Sequence, residues 1–219
     1  MRALILLLGL AACAPASGPG PERVASQGGQ ALWADPPDCV LVLPADTAPE
    51  AGLSARQAEA AVARHLAGRF ERIIGPARRD ALLRRLGLVL DHPDDRRRLA
   101  ERTGCRHAAA ARFWGGRAWG VVWSETRIGV DLAILRLPEG ERLWLGRGSA
   151  RRGDGGLPLS PVSAALAVGM AARAALDRET TASVLDDALR SLLRDLPDLR
   201  DPQAFASRNS RVRPLSSRK

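Results

Sequence analysis

Tyrosine is absent from this chain of 219 residues, lysine occurs once, at Lys219, and histidine and cysteine occur three times each. Cys105 and His107 have the spacing of a pair of metal ligands, but two ligands do not make a structural zinc site, which needs four. No apolar run approaches the roughly 20 residues of a membrane-spanning helix, since the run over 162–172 is short and Arg173 follows it. We therefore expect no metal and no cofactor.

Charge is unbalanced, with 33 basic against 24 acidic residues and a formal net charge of +9. A basic balance can indicate a nucleic acid or an anionic surface as partner. Almost all of the basic residues are arginine, which is typical of a GC-rich genome, and several cluster after residue 207. We interpret the charge as a solvated surface and expect no nucleic-acid partner.

The first thirteen residues have the pattern of an export signal. Arg2 precedes an apolar stretch over 3–10, and small residues lead to Cys13, with Leu10 three positions before it. This resembles the lipobox of bacterial lipoproteins, in which the signal is cut before a cysteine that then carries acyl chains. The resemblance implies lipidation (diacylglycerol and palmitate-type chains) at Cys13. The alternative is an ordinary secretory signal with a chance cysteine.

Composition divides the remainder into three parts. Residues 13–37 are rich in Pro, Gly, Ser and Ala and are predicted to be a flexible tether. Residues 38–196 have the size and apolar content of a single domain. Residues 197–219 are polar and basic, and we predict a disordered tail.

Within 38–196 the pattern predicts an α/β (α+β) fold, with helices packed on a mixed β-sheet. Residues 40–43 form a wholly apolar strand, typical of a strand covered on both faces. Ser54 and Gln57 have the spacing of a capping box before a helix. Alternating apolar residues predict a β-hairpin at 126–147, and two apolar helical stretches predict a C-terminal helix pair starting near Ser160 and Thr180.

Cys39 and Cys105 are disulfide candidates if the protein is exported. Cys39 begins one predicted strand and Cys105 directly precedes another, at His107. If these strands are parallel neighbours, both sulfurs lie at the same sheet edge. The alternative is two buried free thiols.

A search for catalytic groups finds none. His65 and His92 lie on a helix face and beside a proline, where packing and capping are the common roles. The sequence Gly146-Arg147-Gly148-Ser149-Ala150 lacks the closing glycine of a nucleophile elbow. We therefore expect a protein that is not an enzyme.

Tryptophans concentrate in the β-rich half, at Trp114, Trp119, Trp123 and Trp144. Trp119 and Trp123 are four residues apart, so on one strand they would project from the same face. Core packing is the ordinary role for such residues. The sharper hypothesis is a partner-binding surface formed by Trp119, Trp123 and Trp144, because tryptophan and arginine are enriched in interface hot spots. A glycan platform is a third interpretation.

Four segments together are similar to a known family. They are an apolar strand ending in Leu-Pro (40–44), a strand followed by a basic helix (70–86), a small-residue strand after a glycine (103–110), and a hairpin ending in Leu-Trp (135–144). Their order resembles exported lipoproteins related to the curli-secretion component CsgG, the penicillin-binding-protein activator LpoB and the amino-terminal domain of TolB. This chain departs from them at Cys105-Arg106 and shows no pore-forming amphipathic hairpin.

The resemblance implies a membrane-anchored periplasmic lipoprotein, a non-catalytic subunit or regulator of an envelope assembly or secretion complex. Its partners would be the membrane, through the N-terminal lipid, and other envelope proteins, with homo-oligomers left open. Ala14 after the cysteine, where lipoprotein sorting uses Asp for inner-membrane retention, implies the periplasmic face of the outer membrane. The alternative function is an auxiliary lipoprotein of an ABC-type lipid transport system that binds an apolar ligand.

Overall fold

The computed structural model describes residues 24–27, 29–119, 123–155, 169, 178–196 and 198–200. Over these ranges the chain forms seven strands and five α-helices, together with a short 3₁₀ turn at Pro49–Ala51. In chain order they are β1 (Val24–Gln27), α1 (Gly29–Ala34), β2 (Cys39–Val42), β3 (Asp46–Thr47), α2 (Ala55–Leu66), β4 (Arg72–Ile74), α3 (Pro76–Leu86), α4 (Pro93–Thr103), β5 (His107–Trp119), β6 (Trp123–Arg136), β7 (Glu141–Gly155) and α5 (Arg178–Leu192).

One mixed sheet holds the strands in the order β1-β7-β6-β5-β2-β4, with β3 pairing to β5 off this path. The strands β4, β2 and β5 are parallel, whereas β5, β6, β7 and β1 are antiparallel. The predicted mixed sheet and the predicted hairpin are both confirmed, although β6 and β7 extend well beyond residues 126–147.

Helices cover both faces of β2. Alternate residues of a strand point to opposite sides, so the side chains of β2 divide between two apolar clusters. Val40 and Val42 join the core under α2 and α5, while Cys39 and Leu41 join a second cluster under α3 and α4. All four residues of β2 are buried, as the uninterrupted apolar pattern predicts.

Local sequence explains the helix ends. Ser54 and Gln57 form the predicted capping box of α2, each side chain bonding to the backbone of the other. Gly87 and Gly104 end α3 and α4 with φ of 64° and 63°, a left-handed conformation that glycine adopts without strain.

A buried ion pair joins α2 and α3. The Nη2 of Arg79 lies 2.8 Å from Oε2 of Glu59, and both side chains are at least 90% buried. Arg79 also donates to the carbonyl oxygen of Val42, and Glu59 accepts the backbone N–H of Ala45. The pair therefore fixes both helices to the end of β2.

Two predicted boundaries change. Residues 24–34, assigned to the tether, contain β1 and α1, because β1 gains backbone bonds from β7 and Leu32 is fully buried. Leu199, assigned to the disordered tail, donates its N–H to the Arg69 carbonyl and packs on the core. Of the C-terminal helix pair, α5 is present, and the first helix falls outside the described residues apart from Gly169.

No helix among the described residues is long and apolar enough to cross a bilayer.

Candidate functional site

The two predicted cysteines meet where the parallel strands β2 and β5 begin. Val40 of β2 pairs with His107 of β5, which brings the preceding residues of both strands to one sheet edge. A disulfide joins Cys39 to Cys105 there, with their Cα atoms 5.2 Å apart. Both cysteines are buried. Cys105 is therefore not a metal ligand, and no cluster of three ligating side chains occurs in the described part of the chain.

Beside the disulfide lies the Asp35 cluster, which consists of Asp35, His107 and Arg136. The carboxylate oxygen Oδ2 of Asp35 accepts hydrogen bonds from Nε2 of His107 at 3.0 Å and from Nε of Arg136 at 2.7 Å. His107 is 1% exposed, and its Nδ1 has no hydrogen-bond partner among the described residues. The cluster ties the end of α1 to β5 and β6, so it is a structural contact rather than an open reactive site.

Two opposing effects set the pKa of the Asp35 carboxyl. Burial raises it, but the hydrogen bonds and charges of Arg136 and His107 outweigh burial, and the pKa lies below the ordinary value of 3.8. A carboxyl whose pKa is lower in the folded state than in the unfolded state stabilises the fold at pH values above its unfolded-state pKa. That contribution disappears as the pH falls through the folded pKa.

We expect Asp35→Asn to lower the free energy of unfolding at pH 7, and we expect the difference from the wild type to shrink below about pH 3.8. The measurement is urea unfolding at a series of pH values between 7 and 2.5. The exposed Asp38→Asn serves as control and should change stability at pH 7 by less than about 0.5 kcal/mol. A difference for Asp35→Asn that stays constant over the whole series would contradict this account.

The three tryptophans of the predicted partner surface do not lie together. Trp144 is 1% exposed and packs in the main core, so the prediction that it belongs to a surface is wrong. Trp119 and Trp123 are on successive strands, and the register pairs Trp119 with Ser124, so the assumption of a single strand is also wrong. The side chain of Trp119 is outside the described part. Trp123 is 47% exposed at the start of β6 and remains a candidate contact residue.

Glycines explain how two of the tryptophans pack. A Cβ at Gly129 would lie 2.2 Å from the ring of Trp114, and one at Gly146 would lie 2.3 Å from the ring of Trp144. Each ring therefore covers a glycine of the sheet. The guanidinium of Arg127 lies 5.5 Å from the centre of the Trp114 ring, within the range of a cation–π contact. The half-buried Trp114 and exposed Trp123 lie on the face of the sheet opposite the main core.

A concave surface lies between α2 and α5, and we call it the α2–α5 groove. Its volume is about 750 Å³, and β5 contributes Arg117 at one side. Twelve described residues line it, of which three are arginines (Arg56, Arg64 and Arg117) and none is acidic. Its apolar lining includes the buried Ala61 and Leu185.

Small side chains leave the space between the two helices unfilled at this point. Ala60 and Ala61 of α2 and Ala182 of α5 line the groove, so the lining lacks the bulk that would fill it. One turn further along, Arg64 and His65 both contact Oδ1 of Asp186, at 2.8 Å and 3.0 Å, and hold the helices together. Burial raises the pKa of Asp186, but its bonds to His65 and Arg64 lower the pKa below the ordinary value.

Sequence reasoning missed the groove because its lining comes from three separated segments. Of the residues that join the two helices beside it, the sequence indicates only that His65 lies on a helix face. The remaining histidine, His92, is the N-cap residue of α4, and its side chain makes no capping hydrogen bond. Cys13, the predicted lipidation site, lies outside the described residues.

A scan against models of protein families finds no match to this chain, and a search of curated proteins finds none either. Similar solved structures include the PelC dodecamer from Paraburkholderia phytofirmans, with 20% identity and a TM-score of 0.41, covering 77% of this chain and 97% of that one. Lipoprotein GNA1162 from Neisseria meningitidis has 17% identity and a TM-score of 0.43, covering 64% and 100%. A minor lipoprotein from Acinetobacter baumannii has 12% identity and a TM-score of 0.39, covering 78% and 92%. Structural similarity with TM-scores below 0.5 and identities of 20% or less does not indicate a function.

Proposed function

We propose that this chain is a lipid-anchored protein on the periplasmic face of the outer membrane, where it acts without catalysis as a subunit or regulator of an envelope complex. The observation that carries the proposal is the N-terminal sequence, in which a basic residue, a short apolar stretch and Leu10-Ala11-Ala12-Cys13 follow one another. Several acyl chains on one cysteine anchor a protein stably, whereas a single chain binds a membrane only marginally.

The exposed tryptophan supports a role in protein contacts. Trp123 is 47% exposed at the start of β6, where it pairs with Gly155 of β7. Glu125 and then Arg127 follow on the same face of β6, and Arg127 contacts Trp114. Tryptophan and arginine are among the residue types enriched in interface hot spots.

The test of the anchor is cell fractionation of the wild type and Cys13→Ala in a Gram-negative host, with mass spectrometry of the N-terminal peptide. We expect an acylated Cys13 and an outer-membrane location for the wild type. We expect Cys13→Ala to carry no acyl chain and to leave the outer-membrane fraction. A wild-type protein that is unacylated and soluble would refute the proposal.

The contact surface is tested in the same cells by crosslinking the membrane-bound protein. Trp123→Ser should reduce the yield of crosslinked envelope proteins several-fold. Val89→Ser is the matched control, because Val89 is the other large apolar residue with an exposed side chain, at 50%, in the described part of the chain, and it lies between α3 and α4. Equal yields from both variants would remove Trp123 from the interface.

A second candidate function, an auxiliary lipoprotein of a lipid transport system, is favoured by one observation. It requires a site for an apolar ligand, and the α2–α5 groove has an apolar floor and a volume in the range of small-molecule sites.

A further inference from the structure

The charged side chains in the described lining of the α2–α5 groove are all basic. Arg56, Arg64 and Arg117 contribute guanidinium groups, and none of the described lining residues carries a carboxylate. Arg64 is paired with Asp186, just outside that lining, and Arg117 is engaged with the hydroxyl of Thr181, which leaves Arg56 as the guanidinium for a ligand. The first turn of α2 also lies at the groove, so the positive end of its helix dipole adds to the field. An anionic group is the complementary occupant.

The floor of the groove is apolar. Ala61 and Leu185 are buried beneath it, and Leu53 is half-buried at its edge. The N–H groups of α2 are partly taken up by its own capping box, because Ser54 Oγ accepts the Gln57 N–H. Arginine side chains, rather than free backbone donors, therefore supply the polar contacts. A ligand that contacts both the apolar floor and the arginine side chains has a charged head and an apolar chain.

The volume of the groove is smaller than the volume of two helical turns with their side chains. A helix with its side chains is about 10–12 Å across, so about 750 Å³ would hold only roughly 7–10 Å of it, fewer than two turns. Small-molecule sites typically occupy about 300–1,000 Å³. The volume therefore fits a small amphiphile better than a peptide segment of a partner.

We propose that the α2–α5 groove binds a single-chain anionic amphiphile, with a phosphate or carboxylate head against Arg56 and the chain along Ala61 and Leu185. Guanidinium groups suit this role because their planar donors match both anions. The inference rests on the second function proposed above, for which it names the ligand class. It does not depend on the lipid at Cys13.

The test is calorimetric titration of residues 13–219 carrying Cys13→Ala, which retain every described residue. The probes are dodecyl phosphate, laurate, inorganic phosphate and dodecyl maltoside, each below its micellar concentration. We expect one equivalent of dodecyl phosphate or laurate to bind at least tenfold more tightly than inorganic phosphate, and we expect no saturable binding of dodecyl maltoside. The stronger of the two anions identifies the head group.

Variants locate the site. Arg56→Gln should weaken binding of the preferred amphiphile about tenfold, whereas Arg78→Gln, an exposed arginine on α3, should leave it unchanged. Ala182→Phe should abolish binding by filling the groove without changing its charge. Circular dichroism confirms that each variant is folded.

Three results would overturn the proposal. They are equal binding of the maltoside and the anions, binding that survives both Arg56→Gln and Ala182→Phe, and saturable binding of an acidic peptide without binding of either anionic amphiphile. None of them bears on the acylation of Cys13, which the fractionation decides separately.

Discussion

Replacing Arg79 with methionine is expected to lower the free energy of unfolding by about 3–5 kcal/mol, because removal of one partner of a buried ion pair leaves the other charge uncompensated. Arg79 is 4% exposed, and its guanidinium bonds Glu59, Asp80 and the carbonyl oxygen of Val42. The Glu59 carboxylate would remain buried without its cationic partner. Methionine keeps much of the volume of arginine, so the loss would report charge and hydrogen bonding rather than a cavity.

Urea unfolding measures this loss, and the adjacent Arg78 provides a matched control. Arg78 is exposed on the same helix, so Arg78→Met should change stability by less than about 0.5 kcal/mol. Combining Arg79→Met with Glu59→Leu should recover part of the loss, since the buried carboxylate is removed and only the partly exposed Asp80 is left without its cationic partner. Recovery would be incomplete because the Ala45 N–H loses its acceptor. Equal effects of Arg79→Met and Arg78→Met would show that the pair is not desolvated.

Reducing the disulfide is expected to lower the free energy of unfolding by about 4 kcal/mol. Cys39 and Cys105 are 66 residues apart, and the chain-entropy model assigns a stabilisation of about 4 kcal/mol to a crosslink that closes a loop of this length. The bond lies at the point where β2 and β5 begin to pair, so it restricts the unfolded chain at a contact between distant segments.

Urea unfolding with and without a phosphine reductant measures the effect. The control is Cys39→Ala combined with Cys105→Ala, which should be less stable than the wild type and indifferent to the reductant. Both sulfurs are buried, so we expect reduction of the wild type to be slow in buffer and fast in urea near the midpoint. A wild-type midpoint that does not move after complete reduction would contradict the expected stabilisation.

Local patterns in the sequence were sufficient to predict the centre of the fold. The apolar run of β2, the small residues of β5 and the alternation in β6 each have one favoured structure. Because β2 and β5 are parallel neighbours, the position of each cysteine just before a strand also placed the sulfurs at one edge.

The buried pair was missed, although its signal is present. Arg79 precedes Leu82, Leu83 and Leu86 by three, four and seven residues, which places it on the inward stripe of α3. A charged residue on such a stripe indicates a buried partner. The sequence alone does not say which of the many carboxylates that partner is, because Glu59 meets Arg79 only after α2 and α3 pack on the sheet.

Composition misled the prediction at the N-terminus. The segment before Asp38 is rich in Gly, Pro and Ser, and its apolar residues are too few to show a period. Leu32 and Asp35 nevertheless tie α1 to the domain, one through the main core and the other through His107 and Arg136. Such single contacts depend on the tertiary structure and leave no repeating pattern.

The position of β1 also limits how far the domain can stand from a membrane. Between Cys13 and Val24 the chain has eleven residue steps, which span at most about 36–40 Å when fully extended. A tether that ran to residue 38 would instead reach about 80–90 Å. If Cys13 carries the lipid, the start of β1 at the edge of the sheet is held within about 40 Å of the bilayer. A partner that binds along this edge must then be reached close to the membrane.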